Sequence, residues 1–301
     1  MKRDFLTLAD LSSDEIAGLL GRAKDLKAGK DASKCPLIGR SLGLLFEKPS
    51  TRTRVSFEVG IYQLGGKAIT MNPSELQLGR GETIPDTART LSRYLSAIMI
   101  RTFEHSRLDL FAANASIPVI NGLSDLHHPC QTLADLMTII EKKGRLKGLK
   151  VAFIGDGNNV CNSLIEAASL TQFDLTVACP EGFEPDAGIL EKARAAARSE
   201  IVILRDPREA AGMADVVYTD VWVSMGQEEQ SEEKKQRLKD YQINSRLLSC
   251  SKKDVTVLHC LPAHRGEEIT DEVFDGPRSA VFDQAENRLH AQKALLEMLI
   301  A

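Results

Sequence analysis

The segment "SLGLLFEKPSTRTRVSFEVGIYQLGG" (41–66) holds three signals in a row. "SLGLLF" (41–46) is a short apolar run bounded by polar residues, which reads as a buried strand. "TRVSFEVGIYQLGG" (53–66) reads as a helix ending at Gly65, where the chain can take a left-handed stop. The polar connection between them, "EKPSTRT" (47–53), lies at the carboxyl end of the strand and the amino end of the helix. A strand feeding a helix in this way is half of a parallel crossover unit.

The same alternation extends in both directions. Ahead of it, "SSDEIAGLLGRAKDL" (12–26) opens with Ser12 and Glu15 in capping-box spacing, and Ile16, Leu19, Leu20, Ala23 and Leu26 share one face. Behind it, "AIMIRT" (97–102) and "IPVING" (117–122) read as strands. "QTLADLMTIIEKKG" (131–144) reads as a helix with Leu133, Leu136, Met137 and Ile140 on one side and Gly144 as its stop. The polar, glycine-containing join "GRLKGLK" (144–150) precedes a second series of apolar strands: "VAFIGD" (151–156), "LTVACP" (175–180), "IVILRD" (201–206), "ADVVYTDVW" (214–222) and "VTVLHCLP" (255–262). Strands separated by helical stretches imply an α/β fold of two doubly wound parallel-sheet domains. The expected domains are residues 1–143 and 144–284, with a closing helix in "DQAENRLHAQKALLEMLI" (283–300), assigned over 285–301, crossing back onto the first.

Bulk properties exclude several classes. The chain has 301 residues, enough for two cores, and a net charge of -4, unlike a nucleic-acid binder. The six cysteines form no C-x-x-C pair and no disulfide framework, so a reducing cytoplasm is expected. The first residues, "MKRDFLTLADLSSDE", turn acidic too early for a signal peptide, and no apolar run approaches the roughly 20 residues that span a bilayer.

Four constellations carry chemistry. In "EKPSTRT", Ser50, Thr51 and Thr53 offer hydroxyls, Arg52 can grip two oxygens at once, and the helix amino end adds unpaired N–H groups and a positive dipole. This is a phosphate cradle; the plain alternative is a Ser/Thr helix cap beside solvated arginines. No G-x-x-x-x-G-K-[ST] occurs, so the phosphate is expected on a small molecule and not on a nucleotide. In "DLHHPCQTLADL" (125–136), His128 and Gln131 present an imidazole and an amide at a helix start, suited to a planar carbonyl or amide. A surface histidine pair fixed by Pro129 is the plain reading, and one such pair makes a poor zinc site. Arg101 ends a strand, where an arginine is often only a surface ion pair. In "TVLHCLPAHRGEEIT" (256–270), Cys260 follows a strand and is either a buried structural thiol or a thiol facing a cleft. In "YTDVWVSMGQEE" (218–229), Asp220 ends a strand ahead of Ser224, Met225 and Gly226, which begin a polar loop suited to act as a lid.

Taken together and in order, Ser50-Thr51-Arg52-Thr53, His128-Pro129-Cys130-Gln131, Ser224-Met225-Gly226 and His259-Cys260-Leu261-Pro262 resemble the motifs of the carbamoyltransferase family, and most closely its ornithine branch. The resemblance runs nearly end to end. It implies transfer of a carbamoyl group from carbamoyl phosphate to the δ-amine of ornithine in a cleft between the domains, with no metal or organic cofactor. It implies that Ser50, Thr51, Arg52, Thr53, Arg101, His128, Gln131 and Arg288 bind carbamoyl phosphate, with Gln77 reaching the site of a neighbouring subunit in a homotrimer. It assigns Asn159, Asp220, Ser224, Met225, Cys260 and Leu261 to ornithine. Arg101, His128, Asp220 and Cys260 are the catalytic set. Arg80 and the His259–Pro262 motif stand where the aspartate-specific branch carries a lysine and H-P-L-P-R, so a basic acceptor is expected.

The residues make chemical sense of that reaction. Attack on the carbonyl places charge on oxygen, which Arg101, His128 and the Thr53 hydroxyl can meet, while Arg52 and the helix amino end meet the departing phosphate. The attacking amine must shed its proton from a starting pKa near about 10.4, and a dry, cationic surrounding lowers it. A rival reading is an NAD-dependent dehydrogenase, because "VAFIGDGNNV" begins like a dinucleotide fingerprint with Gly155 and Gly157, with Glu181 as a ribose ligand. Val160 stands at the third glycine position, so the fingerprint is incomplete. Other rivals are a non-catalytic binder of the same fold and a carbamoyltransferase acting on putrescine, N-acetylornithine or aspartate.

Overall fold

In the computed structural model, which describes residues 2–31, 34–72, 74, 76, 81–223 and 231–301, the opening segment folds as its pattern dictates. After helix α1 (Ser13–Lys27) come β1 (Ser41–Phe46), α2 (Thr51–Gln63), β2 (Lys67–Met71), α3 (Ile84–Leu91), β3 (Ala97–Arg101), α4 (His105–Asn114), β4 (Val119–Leu123) and α5 (Pro129–Lys143). The four strands form one parallel sheet in the order β2-β1-β3-β4. Apolar runs mark the inner strands because both faces are covered: β1 is buried from Leu42 to Phe46 and β3 throughout. β2 was not among the expected strands. It is an edge strand whose residues alternate between exposed and half-buried, so no apolar run announces it.

The second series continues with β5 (Lys150–Ile154), α6 (Asn159–Thr171), β6 (Asp174–Ala178), α7 (Ala187–Ala196), β7 (Ile201–Leu204), α8 (Pro207–Ala211), β8 (Val216–Thr219), α9 (Ser231–Leu238), α10 (Ser245–Leu248), β9 (Thr256–His259), α11 (Asp271–Phe274) and α12 (Val281–Ile300). Its parallel sheet has the order β7-β6-β5-β8-β9. The chain divides into one unit of residues 1–137 with 286–301 and a second of residues 138–285. Each has its own core: Leu45, Ile98, Ile100, Leu108, Phe111 and Val119 belong to the first, and Ile154, Val217, Tyr241, Val257 and Phe274 to the second.

In the first unit α12 is tied to its neighbours by charge. Arg22 on α1 grips Glu297 through two bonds of 2.6 and 2.9 Å, Lys27 donates to Asn287 at 2.7 Å, and Lys293 donates to Gln63 on α2 at 2.8 Å. No helix among the described residues is long and apolar enough to cross a membrane.

The strand orders fix where ligands can bind. Open parallel sheets receive ligands at the carboxyl ends of the two strands where the winding reverses. In the first sheet those strands are β1 and β3; in the second they are β5 and β8.

Candidate active site

At the first reversal, β1 leads into the amino end of α2. Ser50 is the helix N-cap, and its hydroxyl accepts from the Thr53 N–H at 3.3 Å. The capping reading of "STRT" and the cradle reading are therefore compatible, since the cap engages one N–H of the first turn. A cavity of about 360 Å³ opens here, lined by Phe46, Pro49, Ser50, Thr51, Arg54 and Asn72 among others. Arg101, the last residue of β3, is paired in register with Phe46, so it reaches the same end of the sheet.

Behind this end lies a buried polar network. Arg288 on α12 donates from Nη1 to Gln131 Oε1 at 2.7 Å and from Nη2 to Thr53 Oγ1 at 3.2 Å. Gln131 donates in turn to Asp135 at 2.9 Å. With its amide turned to suit both neighbours, Gln292 accepts from Arg288 Nη2 and Nε at 2.9 and 3.1 Å and donates to Ser56. Thr53, Gln131 and Arg288 are each at most 2% exposed, so these bonds stand in for water. His128 is buried beside them. Burial first, then the nearby guanidiniums of Arg288, Arg101 and Arg52, hold its pKa well below the ordinary value. The imidazole is thus neutral and can donate a hydrogen bond without adding a fourth positive charge. Cys130 packs inward, donates to the Asn121 carbonyl at 3.3 Å, and burial pushes its thiol up to about 12.

At the second reversal the chemistry changes sign. Asp220 follows β8 and is buried; its Oδ1 accepts from the Cys260 thiol at 2.8 Å and its Oδ2 from Asn158 Nδ2 at 2.7 Å. Asn158 is the N-cap of α6, its Oδ1 accepting from the N–H groups of Val160 and Cys161. Of the adjacent asparagines, it is Asn158 that reaches Asp220 in this structure. Asn159, singled out in the sequence, begins α6 and is half-buried.

Cys260 is aimed by its own motif. The Leu261 N–H donates to His259 Nδ1 at 2.9 Å, so the ring proton is on Nε2, which meets Glu268 Oε1 at 3.0 Å. Leu261 takes a left-handed backbone with φ 61, and the Leu261–Pro262 bond is cis. A leucine rarely adopts that conformation unless surrounding bonds enforce it. His259 and Glu268 are both fully buried beneath this turn.

The glycines of "GDGNN" have a structural task. A Cβ on Gly157 would lie 2.3 Å from Pro185 N and 2.6 Å from the Phe183 carbonyl oxygen, so glycine is required for packing against the 183–185 loop. That removes the main support for a dinucleotide fingerprint. Gln77, Arg80, Ser224, Met225 and Gly226 lie outside the described residues.

Comparison with known proteins agrees with this arrangement. Residues 3–141 match the carbamoyl-P binding domain of aspartate/ornithine carbamoyltransferase, and residues 147–299 match the Asp/Orn binding domain. The chain is 56% identical to a protein of Syntrophus aciditrophicus named ornithine carbamoyltransferase, with all of both chains covered. It is 55% identical to one of Methanoculleus marisnigri of the same name, covering 100% of this chain and 98% of the relative. Among solved structures, ornithine carbamoyltransferase from Pyrococcus furiosus is 51% identical with a TM-score of 0.95, covering 99% of this chain and 97% of that one.

Proposed function

The chain belongs to the aspartate/ornithine carbamoyltransferase family, and from that premise we propose how its residues move a carbamoyl group from carbamoyl phosphate to the δ-amine of L-ornithine, giving L-citrulline and phosphate. Residues 1–143 with 285–301 take carbamoyl phosphate, and residues 144–284 take ornithine. The Arg288 bonds to Thr53 and Gln131 support assigning the last helix to the first of these.

Arg52, Ser50, Thr51 and the amino end of α2 hold the phosphate. Arg101, the neutral imidazole of His128 and the Thr53 hydroxyl face the carbonyl oxygen, where charge develops as the amine attacks. Thr53 Oγ1 already accepts from Arg288, which leaves its hydrogen to donate forward. The Gln131 amide is engaged at both ends, so its work is to orient Arg288. Asp220 takes the α-ammonium of ornithine and Cys260 orients the δ-amine, with Asn159, Ser224, Met225 and Leu261 completing the acceptor site. Gln77 completes the site of a neighbouring chain in a homotrimer; exposed Val55 and Tyr62 on α2 and Ile69 on β2 are apolar surface for such contact. Six free cysteines support a reducing cytoplasm, where the reaction serves arginine biosynthesis.

The observation that carries the reading is that the two reversal points, one in each unit, differ in charge: guanidiniums around a neutral His128 at one, and the Asp220–Cys260 bond at the other. The test is citrulline formation by purified protein from carbamoyl phosphate and ornithine, with aspartate, putrescine and N-acetylornithine as parallel acceptors. Ornithine-selective turnover is expected. Selectivity for another acceptor overturns the acceptor assignment, and no turnover with any overturns the catalytic reading.

A further inference from the structure

Close to Asp220 lies a second carboxylate that the reaction above does not use. Asp156 follows β5, and β5 pairs with β8 so that Phe153 stands beside Tyr218. Asp156 and Asn158 share one turn, with the Asn158 N–H donating to the Asp156 carbonyl at 2.7 Å, while the Asn158 side chain bonds Asp220. Asp156 and Asp220 therefore flank the same turn at adjacent strand ends. Lys234 on α9 reaches in to Asp156 with Nζ 2.6 Å from Oδ2, and both side chains are largely buried. The ammonium lies 5.7 Å from the centre of the Phe183 ring, and Phe183 accepts the Gly157 N–H, so the same turn holds the aromatic shelf under the lysine.

We propose that Lys234 is a positioning residue for the acceptor site: its ion pair with Asp156 cancels a second negative charge beside Asp220, so an α-amino acid acceptor meets one carboxylate and not two. This rests on the acceptor site proposed above. The groups facing Asp156 are few. Asp220 raises its pKa, as burial does more strongly, and Lys234 opposes both. Cys161 on α6 and Cys179 after β6 also face it; burial pushes the first thiol far up and the second to about 11, so both are neutral near pH 7. Among the described residues, Lys234 is thus the cation that pairs with Asp156 and opposes the upward push of burial and Asp220.

Removing it has a signed consequence. In Lys234→Met the carboxyl of Asp156 loses its counter-charge and titrates at higher pH. Below that inflection Asp156 is neutral and Asp220 acts alone, as in the native chain. Above it two negative charges surround the acceptor and hold its δ-ammonium in the unreactive protonated form. One unit on the amine is about a tenfold loss of free amine.

The experiment measures kcat/KM for ornithine and KM for carbamoyl phosphate as a function of pH over the range in which the native chain is active and folded. The proteins are the native full chain, Lys234→Met, Lys234→Arg and the double variant Asp156→Asn/Lys234→Met. Lys234→Met is expected to gain an inflection and lose about tenfold in kcat/KM for ornithine across it, with KM for carbamoyl phosphate within about twofold. Lys234→Arg and the double variant are expected to lack that inflection. In parallel, NMR of 13C-labelled aspartate carboxyls should show a resonance that titrates at higher pH in Lys234→Met than in the native chain and is missing from the double variant. A Lys234→Met profile parallel to the native one, or an inflection that persists in the double variant, overturns the proposal. Absent turnover of ornithine by the native chain is a failure of the proposed function; a missing Asp156 resonance in Lys234→Met is a failure of this inference alone.

Discussion

Arg101 and Asp220 stand at comparable places in two similar sheets, each at the end of the strand beyond the winding reversal, yet their surroundings differ in kind. The guanidiniums of Arg101, Arg52 and Arg288 act on a neutral His128 imidazole, and a buried chain from Asp135 through Gln131, Arg288 and Gln292 to Ser56 fixes Arg288. Around Asp220 the direct side-chain partners among the described residues are Cys260 and Asn158, both half-buried. The phosphate side is prearranged by a network that would be costly to leave half satisfied. The acceptor side is set by a strained Leu261 backbone and one hydrogen-bonded histidine. On the proposed reading, the same fold would accommodate an anion by spreading positive charge over several elements, and an ammonium by aiming one carboxylate.

This contrast can be broken at four points. The largest loss is expected from Arg101→Ala, which removes a donor to the developing oxyanion: kcat should fall by about 10²–10³. A loss confined to KM would place Arg101 in ground-state binding only. Next is Arg288→Met, which orphans Gln131, Thr53 and Gln292. Each orphaned buried group costs about 1–3 kcal/mol, so thermal stability should drop together with carbamoyl phosphate affinity. An unchanged melting temperature would show that the network is not prearranged in the sense argued here.

Cys260→Ala is smaller and one-sided. Loss of a hydrogen bond to a charged group is worth about 1.5–3 kcal/mol, or roughly ten- to a hundredfold in kcat/KM for ornithine, with carbamoyl phosphate binding kept. Equal losses for both substrates would erase the distinction between the two regions. The smallest effect concerns pH. His128 is held below its ordinary pKa, so the unfolded chain takes up a proton there before the folded chain does. Its contribution to stability is therefore complete above the unfolded value and declines as pH falls below about 6.5 toward the depressed folded one. His128→Gln should flatten that part of the melting temperature profile; an unaltered slope would mean the imidazole is not kept neutral.

Much of this was legible along the chain because parallel sheets bury their inner strands on both faces. β1, β3, β5, β6 and β8, and the buried edge strand β9, advertise themselves as apolar runs, and the polar residue after such a run marks a possible ligand position. That logic found Arg101, Asp220 and Cys260, and the "STRT" connection with them. It passed over β2, because an exposed edge strand has no apolar run to show. It did not single out Asn158, whose side chain bonds Asp220, since the two neighbouring asparagines differ only in helix-cap geometry. The Asp135, Gln292, Glu268 and Lys234 contributions were silent for another reason. Each acts through a partner, and a lone polar residue on a helix or in a turn looks the same whether it faces solvent or a buried partner.

What the sequence by itself determined is local: the strand–helix alternation, the residues at strand ends, and the motif set of the carbamoyltransferase family. Those follow from side-chain periodicity and backbone preference over a few neighbours. What only the tertiary structure decided is which of those residues meet. Arg288 and Thr53 are 235 positions apart, and Asn158 and Asp220 are 62 apart. Their bonds exist because strand order and register bring those positions to one sheet end, where burial makes an unpaired polar group too costly to leave unmatched.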